Sequence, residues 1–353
     1  MQHANTWFSV AAVLTATFDA CSDEGSGVFD GAGSGGLTAT GGSGGAGANA
    51  GGNAGAPVTA NGGASSAGMS AGGSSAAGMA GGGGAGAGAG GSAGTAVAGS
   101  GGGLPTSGCG ATTWPKSDQS YTLDVAGVAR EYIVSLPTNY ASSTPYRLVF
   151  AWHGRTGTAA QIARNFYGLK MRGADSTIFV AGQGLGTDAD AADTGWPNTN
   201  GRDVAFVRAL VDSLGQSLCI DRSRIFSVGM SYGGIMSHTL GCQMGDVFRA
   251  IAPIAGAFFG GGRGAPECTG AVAAWMAHGS ADEDVTPENG ATARDLWLTQ
   301  NGCGEATAPA PPSPCVAYEG CSAGHPVHWC LHPGAHIVPS FAAEGVWNFF
   351  TQF

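Results

Sequence analysis

Short, nearly all-apolar runs, each closed by glycine or a turn, recur through the second two thirds of the chain. Residues 148–152 (LVFAW) and 177–181 (TIFVA) show no alternation, the pattern of strands buried on both faces of a parallel sheet. Residues 225–228 (IFSV), 250–254 (AIAPI), 272–277 (VAAWMA) and 327–331 (VHWCL) repeat it, with Pro253 counting against the second of these. Residues 130–136 (REYIVSL) alternate loosely, as an early antiparallel strand does. Helical periods lie between. Residues 203–218 space Val204, Val207, Leu210, Val211, Leu214 and Leu218 for one helix face, with Asp203 where an N-cap belongs. Residues 232–244, 290–299 and 345–353 are further helical stretches. Strands alternating with helices predict an α/β fold, a mostly parallel central sheet with helices on both faces. Functional residues are then expected in loops at the carboxyl ends of the strands.

Composition limits this pattern to part of the chain. About half of the 65 glycines precede Leu104, and residues 31–115 carry no charged side chain. Such a Gly/Ala/Ser stretch has nothing large to bury, so nothing offsets the entropy of ordering it. Residues 22–106 read as a disordered linker; a collagen repeat would need proline and a strict period of three. Residues 107–353 remain as one domain with a single large core. Before the linker, residues 7–18 form an apolar run too short to span a bilayer, followed by Cys21. Residues 1–21 are expected to be an export signal, with Cys21 as a lipidation candidate of the lipoprotein type, although Lys and Arg are missing ahead of the run and Asp19 stands where a small residue is usual. The net charge of −10 argues against nucleic acid or an anionic membrane surface as partner. Setting Cys21 aside, the other eight cysteines fit up to four disulfides in an exported domain, among about a hundred connectivities. No Cys-x-x-Cys pair is present, so no metal site is expected.

Against this frame Gly229-Met230-Ser231-Tyr232-Gly233 matches G-x-S-x-G, the nucleophile turn of many serine hydrolases. The linker matches it as well, at Ser43 and Ser92 among other places, but with no strand before and no helix after. Only Ser231 has the strand–turn–helix setting that projects a serine into open space. A serine needs a base, and the base an orienting acid; in this fold the chain order is Ser, Asp or Glu, His. Asp282 follows the 272–277 run, with Glu283 and Asp284 as rivals. His336, in Pro333-Gly334-Ala335-His336 after the last strand, is the expected base; His278, His325, His328 and His332 are alternatives. Backbone N–H groups of Tyr232 and of Arg155, in the loop His153-Gly154-Arg155-Thr156-Gly157, are the expected oxyanion donors. Trp152 and Trp196 are candidate substrate contacts, as is Tyr232.

Several stretches are also familiar together: Cys109-Gly110, REYIVSLPTNY, PYRLVFAWHG, YGLK, TIFVAGQGL, GWPNTNGRDVAFV, CIDRSRIFSVGMSYGGIMSH, FRAIAPIAG, HGSADEDVTP, NGC, YEGCSAGHPVHW and PGAH. From Cys109 to about Pro339 the chain resembles the secreted feruloyl esterases, which belong with polyhydroxybutyrate depolymerases among the α/β-hydrolases. The resemblance implies the α/β-hydrolase fold, export, disulfides and a Ser231–Asp282–His336 triad. It implies a serine carboxylesterase for hydroxycinnamoyl (feruloyl) or acetyl esters of plant-wall polysaccharide, working without a cofactor. With Cys21 read as a lipidation point, the protein is expected outside the cell or at the cell surface on a lipid anchor, as a monomer. Polyhydroxybutyrate or another polyester is the alternative substrate, because the 153–157 loop departs from the Trp and Gly-Gly of many feruloyl esterases. A non-catalytic surface binding protein on a hydrolase scaffold is the alternative of another class. Cys315 and Cys330 look additional to the family and are expected to pair. The pairs Cys303 with Cys321, Cys219 with Cys242 and Cys109 with Cys268 follow by the same logic.

Overall fold

A computed structural model describes residues 104–186, 190–258 and 268–353. The export signal, Cys21 and the linker up to residue 103 lie outside the described residues. Its strands are β1 (Gln119–Val125), β2 (Val128–Ser135), β3 (Tyr146–Trp152), β4 (Thr177–Gly182), β5 (Ile220–Met230), β6 (Ala250–Ile254), β7 (Ala273–Gly279), β8 (Thr307–Pro309), β9 (Val316–Tyr318) and β10 (Val327–His332). Its helices are α1 (Ala159–Ala163), α2 (Leu169–Arg172), α3 (Arg202–Ser217), α4 (Tyr232–Gln243), α5 (Pro287–Gln300) and α6 (Ala342–Phe350).

All ten strands join one sheet in the order β1-β2-β4-β3-β5-β6-β7-β10-β9-β8. The run from β4 to β10 is parallel, and antiparallel strands flank it on both sides. This is the expected mostly parallel sheet. The pleat explains why its strands read as unbroken apolar runs. On β3, Val149 and Ala151 pack with Phe166, Leu169, Val346 and Phe350 on one face. Leu148, Phe150 and Trp152 pack with Phe206, Leu210, Met236 and Leu240 of α3 and α4 on the other. After β3 the chain adds β4 on one side and later β5 on the other. The strand order therefore reverses at β3, where an open α/β sheet makes its crevice beyond the carboxyl ends.

Several details differ from the sequence reading. The expected N-cap, Asp203, lies inside the first turn of α3, after Gly201. Its buried carboxylate instead takes Arg130 Nη2 at 2.8 Å and the N–H of Asn198 at 2.8 Å. A buried guanidinium on β2 needs that partner more than a solvated helix end needs a cap. Pro253 does not break β6: pairing with β7 is interrupted at residues 252 and 253 and resumes at Ile254 opposite Ala277. The domain also begins before residue 107. Pro105 bridges to Asp221, and buried Thr106 exchanges hydrogen bonds with Leu218 and Ile220. Backbone pairing of this kind leaves no mark in composition.

Four disulfides are present among the described residues, and two of the expected pairs are not among them. Cys303–Cys321 and Cys315–Cys330 are bonded. Cys219 is joined to Cys109 rather than to Cys242, because the segment around Thr106 lies along the start of β5. Cys242, at the end of α4, is joined to Cys268 instead of leaving it for Cys109. The Cys109–Cys219 bond closes a loop of sequence separation 110. Removing it as Cys109→Ser/Cys219→Ser is expected to lower unfolding free energy by about 2–5 kcal/mol in urea titrations. A loss below about 1 kcal/mol would mean that the hydrogen bonds of Thr106 alone hold the segment.

Candidate active site

β5 ends at Met230, α4 starts at Tyr232, and Ser231 is the whole connection. Its backbone is held at φ 59°, ψ −120°, a conformation that non-glycine residues rarely adopt. The Ser231 N–H donates to Ile254 O at 2.9 Å, which ties the turn to β6. The flanking glycines are required by contact. A Cβ on Gly229 would lie 2.3 Å from Gly233 O, and one on Gly233 would lie 2.0 Å from Trp152 O. The helix thus crosses the ends of β3 and β5 at a distance that admits no side chain.

Asp282 and His336 come from loops after β7 and β10, adjacent parallel strands. The Asp282 carboxylate is buried. Its Oδ1 accepts the N–H groups of Asp284 and Val285 at 3.0 and 2.9 Å, and its Oδ2 accepts the Nδ1–H of His336 at 2.8 Å. Its rivals Glu283 and Asp284 are exposed. Among the other histidines, His278 is buried beneath Asp282: its Nε2 lies 3.4 Å from Oδ2 but donates to Val285 O at 2.7 Å. His332 accepts the Gly334 N–H. His328 packs edge-on against Phe349, and His325 lies before β10, at the other end of that strand from His336. His336 and Ser231 line one cavity of about 470 Å³ with Gly154, Arg155, Tyr232 and Ile235.

The loop after β3 runs beside the serine: a Cβ on Gly154 would stand 3.7 Å from that of Ser231. Several ties shape it. Gly157 N–H donates to Gly154 O, Thr156 N–H to Thr194 O, and the Trp196 indole N–H to His153 O. His153 is buried, which holds its pKa below the usual imidazole value, and as a neutral ring it donates from Nδ1 to Gly154 O and accepts the Gly184 N–H at Nε2. The exposed Arg155 side chain forks onto Asp193 at 2.6 and 2.7 Å. The Tyr232 N–H belongs to the first residue of α4, directly after Ser231. Both N–H groups nominated from sequence therefore belong to segments that flank Ser231.

Trp152 and Trp196 are not where substrate contacts would be. Both are fully buried, ring edge to ring face, 5.0 Å apart. Trp152 occupies a core-facing position of β3, and its indole N–H donates to Ser227, which bonds Ser237 and through it Gly233 O. They brace the turn and its loop from behind. Sequence reasoning also passed over His153, Asp193, Ser227 and Tyr167. His153, Ser227 and Tyr167 stood in stretches already singled out, but none of them was given a role at the site. For metal chemistry, Asp282, Asp284 and His336 bring one ligand atom each within 4.8 Å of one another, but a cation there would break the Asp282–His336 bond. Cys330 is in a disulfide and offers no thiolate.

Residues 178–259, from β4 through β6, match the prolyl oligopeptidase family. The chain is 34% identical to feruloyl esterase D of Neurospora crassa over 274 residues, 70% of this chain and 91% of that protein. It is 32% identical to feruloyl esterase C of Emericella nidulans over 237 residues, 63% of this chain and 83% of that protein. Among solved structures, a ferulic acid esterase of Anaeromyces mucronatus aligns with TM-score 0.47 and 17% identity over 68% of this chain and 91% of that one. An acetyl xylan esterase from Aspergillus awamori aligns with TM-score 0.48 and 15% identity over 66% and 99%. The chain belongs to the feruloyl esterase family, serine ester hydrolases with the α/β-hydrolase fold.

Proposed function

We propose that the protein is an exported carboxylesterase in which Ser231 is the nucleophile, His336 the base and Asp282 the orienting acid. One observation carries the assignment: the 2.8 Å bond between His336 Nδ1 and the buried Asp282 carboxylate. With its proton on Nδ1, the imidazole keeps a lone pair on Nε2 to accept the serine proton. Ser231 Oγ attacks the ester carbonyl as its proton passes to His336 Nε2. The oxyanion forms against the N–H groups of Tyr232 and Arg155. Collapse expels the alcohol, which takes the proton from His336 and leaves an acyl-serine. Water then attacks the acyl carbon, gives its proton to His336, and the acid departs as Ser231 regains that proton. Asp282 stabilises the imidazolium throughout.

The substrates we assign are hydroxycinnamoyl esters of plant-wall polysaccharide, with acetyl esters second. The cavity supports this choice: Ile235, Val285 and Met230 line it and offer an apolar wall to an aromatic acyl group. The names of the relatives support it also. Four disulfides favour an oxidising compartment. We assign residues 1–21 to export, with Cys21 as a lipidation point, and the following Gly/Ala/Ser stretch to a tether holding the catalytic domain off the cell surface. A panel of methyl ferulate, acetylated xylan and polyhydroxybutyrate tests the substrate. Methyl ferulate is expected to have the highest kcat/KM, by about tenfold or more over acetylated xylan. Faster release of acid from polyhydroxybutyrate would move the assignment to polyester.

A further inference from the structure

We infer that Tyr167 is a positioning residue whose hydroxyl sets the distance between the oxyanion loop and the nucleophile turn. This rests on the reading of Ser231 as the nucleophile. β3 and β5 are paired as far as Trp152 opposite Gly229. Beyond that point they separate. β3 becomes the 153–157 loop, and β5 continues one residue to Met230 before Ser231. The phenol of Tyr167 stands in the gap. It donates to Trp152 O at 2.6 Å and accepts the Met230 N–H at 3.2 Å. It thus replaces a ladder bond that the diverging strands no longer make. Its two partners are the residue before the oxyanion loop and the residue before the serine. The same Trp152 carbonyl lies against Gly233 in the first turn of α4.

The chain accepts strain to put the hydroxyl there. Phe166, Tyr167 and Gly168 are all left-handed, with φ of 50°, 58° and 81°. Two consecutive non-glycine residues in that region need an external tether. Phe166 supplies one by burying its ring against Phe179, and the Tyr167 hydroxyl supplies the other. Burial holds the phenol pKa well above its ordinary value, so the group keeps the proton that it donates. Tyr167 does not reach the reacting atoms. Its effect falls on the geometry in which the oxyanion forms, and a small displacement there costs transition-state stabilisation more than substrate affinity.

The test is Tyr167→Phe, which removes one oxygen, set beside Tyr140→Phe. Tyr140 makes a comparable bond, accepting the Cys219 N–H at 2.8 Å at the amino end of β5, away from Ser231. Both variants are expected to remain folded by circular dichroism and to lose similar small amounts of thermal stability. Tyr167→Phe is expected to lower kcat about tenfold or more with KM within about twofold, while Tyr140→Phe keeps the wild-type kcat. Affinity for a trifluoromethyl ketone, which mimics the tetrahedral intermediate, should fall in parallel with kcat/KM. A Tyr167→Phe kcat equal to that of Tyr140→Phe, or a change in KM alone, would overturn the role. Ser231→Ala in the same assay separates the two failures: if it stays active, the nucleophile assignment is wrong; if it is inactive and Tyr167→Phe is unimpaired, only the Tyr167 inference is wrong.

Discussion

Ser231→Ala is expected to lower kcat by about 10⁴- to 10⁶-fold on p-nitrophenyl acetate and methyl ferulate while leaving the fold intact. The change removes the one atom that forms the acyl bond. Structure should survive because the hydroxyl supports nothing locally: Ser231 precedes α4 without a capping hydrogen bond from its side chain. The turn is held by the backbone bond to Ile254 and by the glycines around it, and an alanine keeps both. Thermal unfolding of the variant should therefore match wild type within about a degree or two, since surface-type changes of this kind shift stability by under about 0.5 kcal/mol. Equal turnover by the two proteins would remove the esterase reading and leave the alternative of a binding protein on a hydrolase scaffold.

Asp282→Asn should cost about 10⁴ in kcat with little change in KM, although the side chain keeps its size. The reason lies in the donors around it. The N–H groups of Asp284 and Val285 both point at Oδ1. An asparagine must place its carbonyl oxygen there, or both N–H groups lose their acceptor. Its NH₂ is then turned toward His336. An NH₂ cannot accept the Nδ1–H, so the imidazole takes the other tautomer, with Nδ1 as acceptor and the proton on Nε2. That is the nitrogen that must receive the serine proton. The loss should appear in the acylation step under single-turnover conditions. A loss of less than about tenfold would show that Asp282 does not govern His336, and Asp284, the next carboxylate of the group, would become the candidate.

The fold was legible wherever both faces of a strand were buried. LVFAW, TIFVA and VAAWMA carry no polar position beyond the buried Thr177 because each faces two helical layers, so β3, β4 and β7 were found at nearly their full length. β1 was missed because it is an edge strand with exposed or half-buried residues throughout. β8 and β9 are too short to make a period. Ser231, Asp282 and His336 were nominated because strand order constrains where such groups fall. The supporting shell was not, because it is made by contacts between segments distant in sequence. Tyr167 meets Met230 across 63 residues, and Trp152 meets Ser227 across 75. The same limit explains the tryptophans. An aromatic near a candidate site reads the same whether it faces substrate or core, and only the pleat of β3 decides for Trp152. Disulfide partners are likewise set by which strand ends adjoin, which cysteine spacing does not encode.

Mass spectrometry of the acid-quenched enzyme during turnover of p-nitrophenyl ferulate tests the central claim most directly. One feruloyl group per molecule is expected, on the peptide that contains Ser231, absent from Ser231→Ala and accumulating when water is slow to attack. An acyl group on any other residue, including Ser43 or Ser92 in other G-x-S-x-G matches, would contradict it. So would turnover with no trapped acyl-enzyme that persists undiminished in Ser231→Ala.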